Sequence, residues 1–316
     1  MYLAFYGLKD EPFRLTPDPR YLHMSEPHKA ALTVLLEGIL YRKGLVMITG
    51  PIGTGKTTLI HTALQMLTDI SKQKMPIKSA LLFNPVLTRD EFLEMMLDEF
   101  EVNCTATSKP RRLAALHDML LETQRRGGTA VLFIDEAHLL SPELLEEIRL
   151  LGNADAHQEK LLQIVLSGQP EFLPMMNRPE LSALKQRIAG RSHLRPLNLP
   201  ETRAYITERM QLAGLKESLP FSAQSMEEVL RYSAGAPRLI NLLCDACLAM
   251  GFRNQQKTID VNMVDEVAVS LGLIEQAPVL ERKAVAEHPV NGTITPKSIV
   301  DTLIESMKQN RAVALR

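Results

Sequence analysis

The distribution of apolar residues divides the first 199 positions into short buried strands separated by longer helical patterns. Leu45 to Ile48 and Ala130 to Ile134 are continuous apolar runs, which are typical of strands covered on both faces. Further strands are predicted at 79–84, 161–166 and 193–199. Because helical patterns separate these runs, the sequence predicts an α/β fold with a doubly wound, parallel, five-stranded sheet.

Apolar residues that recur at helical spacing indicate the helices of this region. They are predicted at 25–40, 58–67, 88–100 and 109–126, from Ser141 onward, and at 181–189. Ser25 and Ser141 are the expected N-caps of two of these helices, each with a proline in the first turn.

The pattern changes at Pro200. Four helical patterns follow one another with no apolar strand between them, which predicts a small all-α second domain, or lid. Gly214, Gly235 and Gly251 are its predicted C-caps. Cys244 and Cys247 lie among leucines of its third helix, and we interpret them as core packing rather than as a metal or redox pair.

A glycine-rich loop joins the first strand to the helix that follows. Residues 50–57, GPIGTGKT, fit G-x-x-x-x-G-K-[ST], in which backbone N–H groups surround a phosphate at a helix N-terminus. Lys56 is expected to contact the β- and γ-phosphates of ATP, and the Thr57 hydroxyl to ligate Mg²⁺. The residues predicted to bind the nucleotide are Gly50, Pro51, Ile52, Gly53, Thr54, Gly55, Lys56, Thr57, Thr58 and Asp135.

Two adjacent carboxylates follow the apolar run at 130–134. Since parallel sheets bind ligands at the carboxyl ends of their strands, Asp135 and Glu136 are expected beside the phosphate loop. Asp135 is predicted to hold Mg²⁺ through water, and Glu136 to orient or deprotonate the water that attacks the γ-phosphate. The alternative is an acidic connection without a role.

A polar segment ends the run at 161–166. Ser167 and Gln169 are expected between the phosphate loop and the acidic strand, where either one is a candidate to sense the γ-phosphate or to hold the attacking water. The alternative is a simple Gly-Pro turn at 168–170.

Composition excludes some classes of function. The 316 residues carry a net charge of −1, so no overall basic field indicates nucleic acid binding. Three cysteines without paired spacing fit a reducing compartment. No signal peptide and no apolar run of about 18 residues is present, so we expect a soluble, cytoplasmic protein.

These patterns predict four segments: an N-terminal arm (1–24), a nucleotide-binding domain (25–199), a helical lid (200–273) and a linker with a C-terminal tail (274–316). The arm is rich in aromatic residues and prolines, and it is expected either to cover apolar surface or to close over the adenine ring. In the tail, Ile299, Leu303 and Met307 form one stripe of a possible short helix, which docks on its own domain or on a partner.

The motifs resemble those of the AAA+ ATPases, and more closely the ExeA/GspA-like branch associated with bacterial secretion and pilus systems. The resemblance extends from residue 2 to about residue 272, and its N-terminal signature is the most specific part. It rests on Tyr6-Gly7-Leu8, Glu11-Pro12-Phe13, Thr16-Pro17-Asp18-Pro19, Tyr21-Leu22, residues 53–58 (GTGKTT), residues 134–140 (IDEAHLL), residues 168–171 (GQPE) and Arg195-Pro196-Leu197.

This resemblance implies further site residues and partners. Arg238 matches the lid arginine that touches the γ-phosphate, called the second sensor, and Arg187 or Arg191 matches the arginine finger that reaches into a neighbouring subunit. A finger acting in trans implies an ATP-dependent homo-oligomer. The expected protein partner is a component of an envelope or secretion assembly, contacted from the cytoplasm or at the inner membrane.

Other functions fit the same sequence. A DNA-acting helper of the transposition type would use basic clusters at 109–112, at 125–126 and along 187–195, although each of them also fits a solvated helix end. A nucleotide-dependent scaffold that hydrolyses ATP poorly is the third possibility. A helicase, suggested by the letters DEAH at 135–138, is excluded because the chain has no room for a second motor core.

Overall fold

A computed structural model describes residues 2–16, 21, 23–73, 75–83, 85–156 and 159–273 of the chain. The chain divides into two compact units. One is Met24–Arg195, called here the α/β unit, and the other, the helical unit, combines Met1–His23 with Pro196–Arg316. The predicted tail at 274–316 lies outside the described residues.

The strands of the α/β unit are β1 Leu45–Thr49, β2 Ile77–Leu82, β3 Thr129–Ile134, β4 Asp155–Ala156, β5 Glu159–Lys160, β6 Leu162–Gly168 and β7 Ile188–His193. Five of them form a sheet in the order β2-β3-β6-β1-β7, in which every neighbouring pair is parallel. This confirms the predicted fold class. β4 and β5 form a separate antiparallel pair.

Helices connect these strands, as expected for parallel neighbours, which need crossover connections. The α-helices of the α/β unit are α1 Glu26–Leu40, α2 Lys56–Gln73, α3 Arg89–Glu99, α4 Lys109–Arg125, α5 Pro142–Leu151, α6 Phe172–Met175 and α7 Ser182–Lys185. Short 3₁₀ helices lie at Ala137–Leu139 and Pro179–Leu181. The helical unit contains α8 Leu199–Leu212, α9 Ala223–Ser233, α10 Pro237–Arg253 and α11 Val261–Ser270.

Burial explains why the central strands are so apolar. Every residue of β1, β3 and β6 is buried, which is the reason for the continuous apolar runs in the sequence. Side-chain hydrogen bonds fix two helix starts, of which the cap at Ser141 was predicted from the sequence and the cap at Thr88 was not. Ser141 accepts a hydrogen bond from the Leu144 N–H, and Thr88 forms a reciprocal capping box with Glu91.

The fifth strand differs from the prediction. The expected helix at 181–189 is reduced to α7, and the expected strand at 193–199 is wrong, because the edge strand is β7, Ile188–His193. Its residues alternate between half-buried and exposed, as an edge strand with one covered face requires. An alternating strand of this kind has no continuous apolar run by which it could be recognised.

The N-terminal arm belongs to the core of the helical unit. Tyr6, Leu8 and Phe13 are buried there, so this part of the arm covers apolar surface. The predicted C-cap at Gly251 is wrong, since α10 continues to Arg253. Gly251 instead makes room for the arm, because a Cβ at this position would collide with the Tyr6 hydroxyl.

No helix in the described part of the chain is long and apolar enough to cross a membrane.

Candidate nucleotide-binding site

The predicted phosphate loop connects the buried end of β1 to the first turn of α2. Gly53 and Gly55 have φ angles of +77° and +95°, a region that other residues rarely adopt. Gly50 is required for a different reason, since a Cβ there would lie 2.7 Å from the Leu194 carbonyl oxygen. The loop therefore has a backbone shape that depends on its glycines.

Lys56 is folded back over the loop. Its Nζ donates hydrogen bonds to the carbonyl oxygens of Gly50, at 2.7 Å, and Pro51, at 3.0 Å. Burial lowers the pKa of Lys56, against the opposing effect of the nearby carboxylates of Glu136 and Asp135. Within the described residues the hydrogen bonds of this ammonium group go to neutral carbonyl oxygens, which a phosphate can replace.

The Asp135 carboxylate, directly after β3, accepts hydrogen bonds from several residues of the predicted site. The Thr57 hydroxyl donates to its Oδ2 at 2.7 Å, and the Ser167 hydroxyl donates to its Oδ1, also at 2.7 Å. The Glu136 backbone N–H donates to the same Oδ1 at 2.9 Å. Asp135 is only 3% exposed, so these donors replace the water that a buried carboxylate would lose.

Strand order explains this convergence. β6 lies between β1 and β3, and the parallel register places Ser167 opposite Ile48 and Leu166 opposite Ile134. The carboxyl ends of the three strands consequently meet at one edge of the sheet, where open α/β sheets bind their ligands.

The donor set fits Mg²⁺ bound together with a nucleotide. Among the residues that the structure describes, no group of three or more His, Cys, Asp or Glu side chains could hold a metal ion. In nucleotide sites, however, Mg²⁺ takes one or two protein ligands and completes its shell with phosphate oxygens and water. The adjacent oxygens of Thr57 and Asp135 match that need.

Glu136 is the more exposed of the two carboxylates. Its backbone is left-handed, with a φ of 52°, a strained conformation for a residue with a side chain. Its Oε2 lies 3.3 Å from Gln169 Nε2, which donates to it, and 3.4 Å from His138 Nδ1. Gln169 therefore contacts the predicted base, while the hydroxyl of Ser167 is committed to Asp135. His138 is a residue of this network that the sequence analysis did not assign.

The two candidate finger arginines lie at different positions along the edge strand β7. Arg187 directly precedes β7, whose first residue, Ile188, pairs with Leu45 at the amino end of β1. The loop follows the other end of β1, about 13 Å along the strand. Arg191 pairs with Met47 in the middle of β1. Both side chains are exposed, and they donate to the carbonyl oxygens of Arg149 and Lys185.

Arg238 belongs to the helical unit. It is the second residue of α10, and its side chain is exposed. Its assignment as the second sensor stays a prediction.

Two further histidines adjoin the loop. His28 of α1 lies 2.9 Å from the Thr54 carbonyl oxygen through Nε2 and 2.6 Å from the Ser25 hydroxyl through Nδ1. His193, at the end of β7, lies 3.0 Å from the Thr49 hydroxyl. Partial burial and the charge of Lys56 lower the pKa of His193. Neither histidine is predicted to belong to the site from the sequence, because no motif marks them.

Comparison with known proteins identifies relatives of this chain. The family model described as an AAA domain matches residues 39–176. General secretion pathway protein A of Aeromonas hydrophila is 40% identical over 253 residues, which cover 80% of this chain. The chain spans only 45% of the length of that relative.

Solved structures share the fold. The Aeropyrum pernix ORC2 protein, determined as ADPNP and ADP complexes, superposes with a TM-score of 0.63 at 16% identity, covering 83% of this chain and 72% of its own. Cdc6p from Pyrobaculum aerophilum gives a TM-score of 0.65 at 18% identity, covering 83% and 71%. At these identities the likeness concerns the fold alone.

Proposed function

Because this chain belongs to the ExeA/GspA-like branch of the AAA+ ATPases, we propose that it binds ATP with Mg²⁺ and hydrolyses it to ADP and phosphate. The observation that carries the proposal is the hydrogen-bonded cluster of Thr57, Asp135 and Ser167. It joins the glycine loop to the acidic strand, so that groups suited to phosphate, to a metal and to water lie at one edge of the sheet.

The loop residues bind and orient the phosphates. The Lys56 ammonium exchanges its two carbonyl partners for β- and γ-phosphate oxygens, and the backbone N–H groups of the loop surround the anion. Thr57 and Asp135 would hold Mg²⁺. Bound there, the ion neutralises charge on the phosphates.

Glu136 acts on the attacking water. Its carboxylate accepts a hydrogen bond from water and takes the proton as the oxygen attacks the γ-phosphorus, while the bond from that phosphorus to the bridging oxygen breaks and ADP leaves. Gln169, whose amide contacts this carboxylate, is proposed to orient Glu136 or to sense the γ-phosphate. Ser167 contributes by fixing Asp135.

We propose that the active form is a homo-oligomer. Arg187 directly precedes β7 and Arg191 is the fourth of its six residues, and both side chains are exposed. Such placement suits an arginine finger that serves a neighbouring copy's nucleotide, stabilising charge in the transition state.

The proposed partner is a protein component of a secretion or related envelope assembly, contacted from the cytoplasm or at the inner membrane. The support is the name of the relative, general secretion pathway protein A, of which this chain spans 45%.

The test is ATP turnover by purified protein at several concentrations, with and without duplex DNA at low and physiological salt. Lys56→Ala is expected to abolish turnover. Lys72→Ala, which removes an exposed lysine from the last turn of the same helix, is the matched control and should leave turnover unchanged.

The outcomes separate the candidate functions. Turnover per subunit that rises with protein concentration and ignores DNA supports a self-assembling ATPase with a protein partner. Turnover that requires DNA and declines with salt would favour the transposition-type helper, because phosphate contacts release counterions. Tight ATP binding without turnover would favour a scaffold. Absence of ATP binding would overturn the proposal.

A further inference from the structure

A buried histidine links α1 to the phosphate loop. His28 is 3% exposed, and its Nε2 lies 2.9 Å from the carbonyl oxygen of Thr54, a residue that is fully buried. Its Nδ1 lies 2.6 Å from the hydroxyl of Ser25, which is also buried. Ser25 occupies the N-cap position of α1, but its hydroxyl forms a hydrogen bond with His28 instead of capping the helix.

These contacts select one tautomer of His28. A carbonyl oxygen only accepts hydrogen bonds, so Nε2 must carry the proton that faces Thr54. In the neutral ring Nδ1 is then an acceptor, and the Ser25 hydroxyl donates to it. The serine consequently stabilises the tautomer in which the histidine can hold the loop.

Fixing the Thr54 carbonyl also fixes the next N–H. In a trans peptide the C=O of one residue and the N–H of the following residue point in opposite directions. Since the Thr54 C=O points to His28, the Gly55 N–H points away from α1. Within the described residues no hydrogen bond uses that N–H, although the Gly55 carbonyl accepts one from Leu59. The loop thus presents a donor that its own fold leaves available.

The glycine at position 55 is matched to this arrangement. Its φ of +95° is open to glycine, and a Cβ there would lie 3.1 Å from His28 Nε2. The imidazole therefore packs directly against the peptide that it holds. A hydrogen bond accepted by the carbonyl also polarises the peptide group and makes its N–H a better donor.

We propose that His28 is a positioning residue for phosphate binding, which orients the Thr54–Gly55 peptide so that the Gly55 N–H donates to a nucleotide phosphate. This inference rests on the proposed ATP site. His28 does not itself touch the nucleotide. It acts through one peptide group, from a helix that lies before the phosphate loop in the chain.

The test compares two substitutions of His28 by their affinity for ATP and ADP. His28→Leu keeps an apolar side chain of moderate size but removes the donor, and we expect the Kd of both nucleotides to rise about 10-fold, the usual effect of losing one hydrogen bond to a charged group. His28→Gln places an amide N–H at a similar reach and should stay within about 3-fold of wild type. His117→Leu, at an exposed position on α4, is the control and should bind normally.

Wild-type protein provides a second measurement that requires no variant to fold. Nitrogen NMR of the imidazole should show His28 as the neutral Nε2–H tautomer, and adding ADP should shift the Gly55 amide proton downfield. A Nδ1–H tautomer, or an unmoved Gly55 amide in protein saturated with ADP, would overturn the inference.

The outcomes also separate this inference from the function on which it rests. If wild type binds ATP and folded His28→Leu binds it equally well, only the positioning role fails. Equal losses in His28→Leu and His28→Gln would make His28 a packing residue and would likewise overturn the role. A wild type that binds no nucleotide would overturn the proposed function and the inference together.

Discussion

The Thr57 hydroxyl donates a hydrogen bond to Asp135 Oδ2 at 2.7 Å, although 78 positions separate the two residues in the chain. This contact joins the phosphate loop to the end of β3. The two side chains that would hold Mg²⁺ are thus already neighbours before the ion binds.

Asp135→Asn should remove most of the effect of Mg²⁺ on ATP affinity. The amide keeps the shape of the carboxylate but loses the charge that holds the hydrated ion. We expect ATP binding with Mg²⁺ to weaken about 10- to 100-fold, on the scale typical of lost metal-shell contacts, and binding without Mg²⁺ to change little.

Titration calorimetry with Mg²⁺ present and with the metal chelated would measure both affinities. Asp69→Asn, an exposed aspartate on α2, is the control. If the Asp135 variant gained as much affinity from Mg²⁺ as wild type, the metal assignment would be wrong.

Glu136→Gln should separate ATP binding from hydrolysis. The amide still fits beside Gln169 and His138 but cannot take a proton from water, so turnover should fall about 10²- to 10⁴-fold. Affinity for ATP should stay close to wild type, and the bound nucleotide should remain ATP.

Single-turnover hydrolysis and analysis of the bound nucleotide would check this prediction. Glu143→Gln, an exposed glutamate in the first turn of α5, is the matched control. Hydrolysis at the wild-type rate by the Glu136 variant would exclude it as the catalytic base.

The central strands were predictable because strands that are buried on both faces are continuous apolar runs in the sequence. All six residues of β3 are buried, so no polar residue interrupts the run before Asp135. β7 has no continuous apolar run, since it is an edge strand with the sequence Ile-Ala-Gly-Arg-Ser-His and one exposed face. The spacing of Leu181, Leu184 and Ile188 matches that of a helix, although these residues belong to a 3₁₀ helix, to α7 and to β7, respectively.

The site was predictable to the extent that its residues are consecutive in the chain. The phosphate loop and the acidic pair are local motifs, and the sheet brings them together as parallel topology requires. His28 contacts the loop from 26 residues away, and no spacing rule marks such a contact. The conformation of Glu136, with its φ of 52°, is likewise a result of tertiary structure.

If Arg187 is the arginine finger, subunits that lack it should regain turnover when they are mixed with subunits inactivated at a different residue. Arg187→Ala should lower turnover about 10³-fold or more while ATP binding persists. A mixture with Glu136→Gln subunits should regain activity. The Arg187→Ala subunit supplies a site with an intact Glu136, and the neighbouring Glu136→Gln subunit supplies the intact Arg187. Arg191→Ala, tested in the same way, decides between the two arginines.

Turnover measured across mixing ratios would test this prediction. Activity should peak at an intermediate ratio and be absent from either variant alone. Mixtures that never exceed the sum of their components would argue against action in trans. Arg178→Ala, in the same unit but before the 3₁₀ helix at Pro179–Leu181, provides the control for a lost surface arginine.

Alkaline pH should destabilise the helical unit through Tyr205. This tyrosine is 4% exposed and donates to Asn241 Oδ1 at 2.8 Å, and burial raises its pKa from 10.0 to about 12. Between these two values the unfolded chain releases a proton that the folded chain keeps, so stability falls as pH rises. The full effect is on the order of 3 kcal/mol, and it is absent below pH 10.

Urea unfolding of wild type and Tyr205→Phe at pH 8, 10, 11 and 12 would measure the effect. At pH 8 the variant should be less stable by about 1 kcal/mol, since the Asn241 oxygen loses its donor. From pH 10 to 12 that deficit should shrink and reverse, because phenylalanine does not titrate. Tyr41→Phe, at a position 53% exposed, is the control and should follow wild type. Parallel losses in wild type and Tyr205→Phe over this range would show that Tyr205 does not carry the alkaline transition.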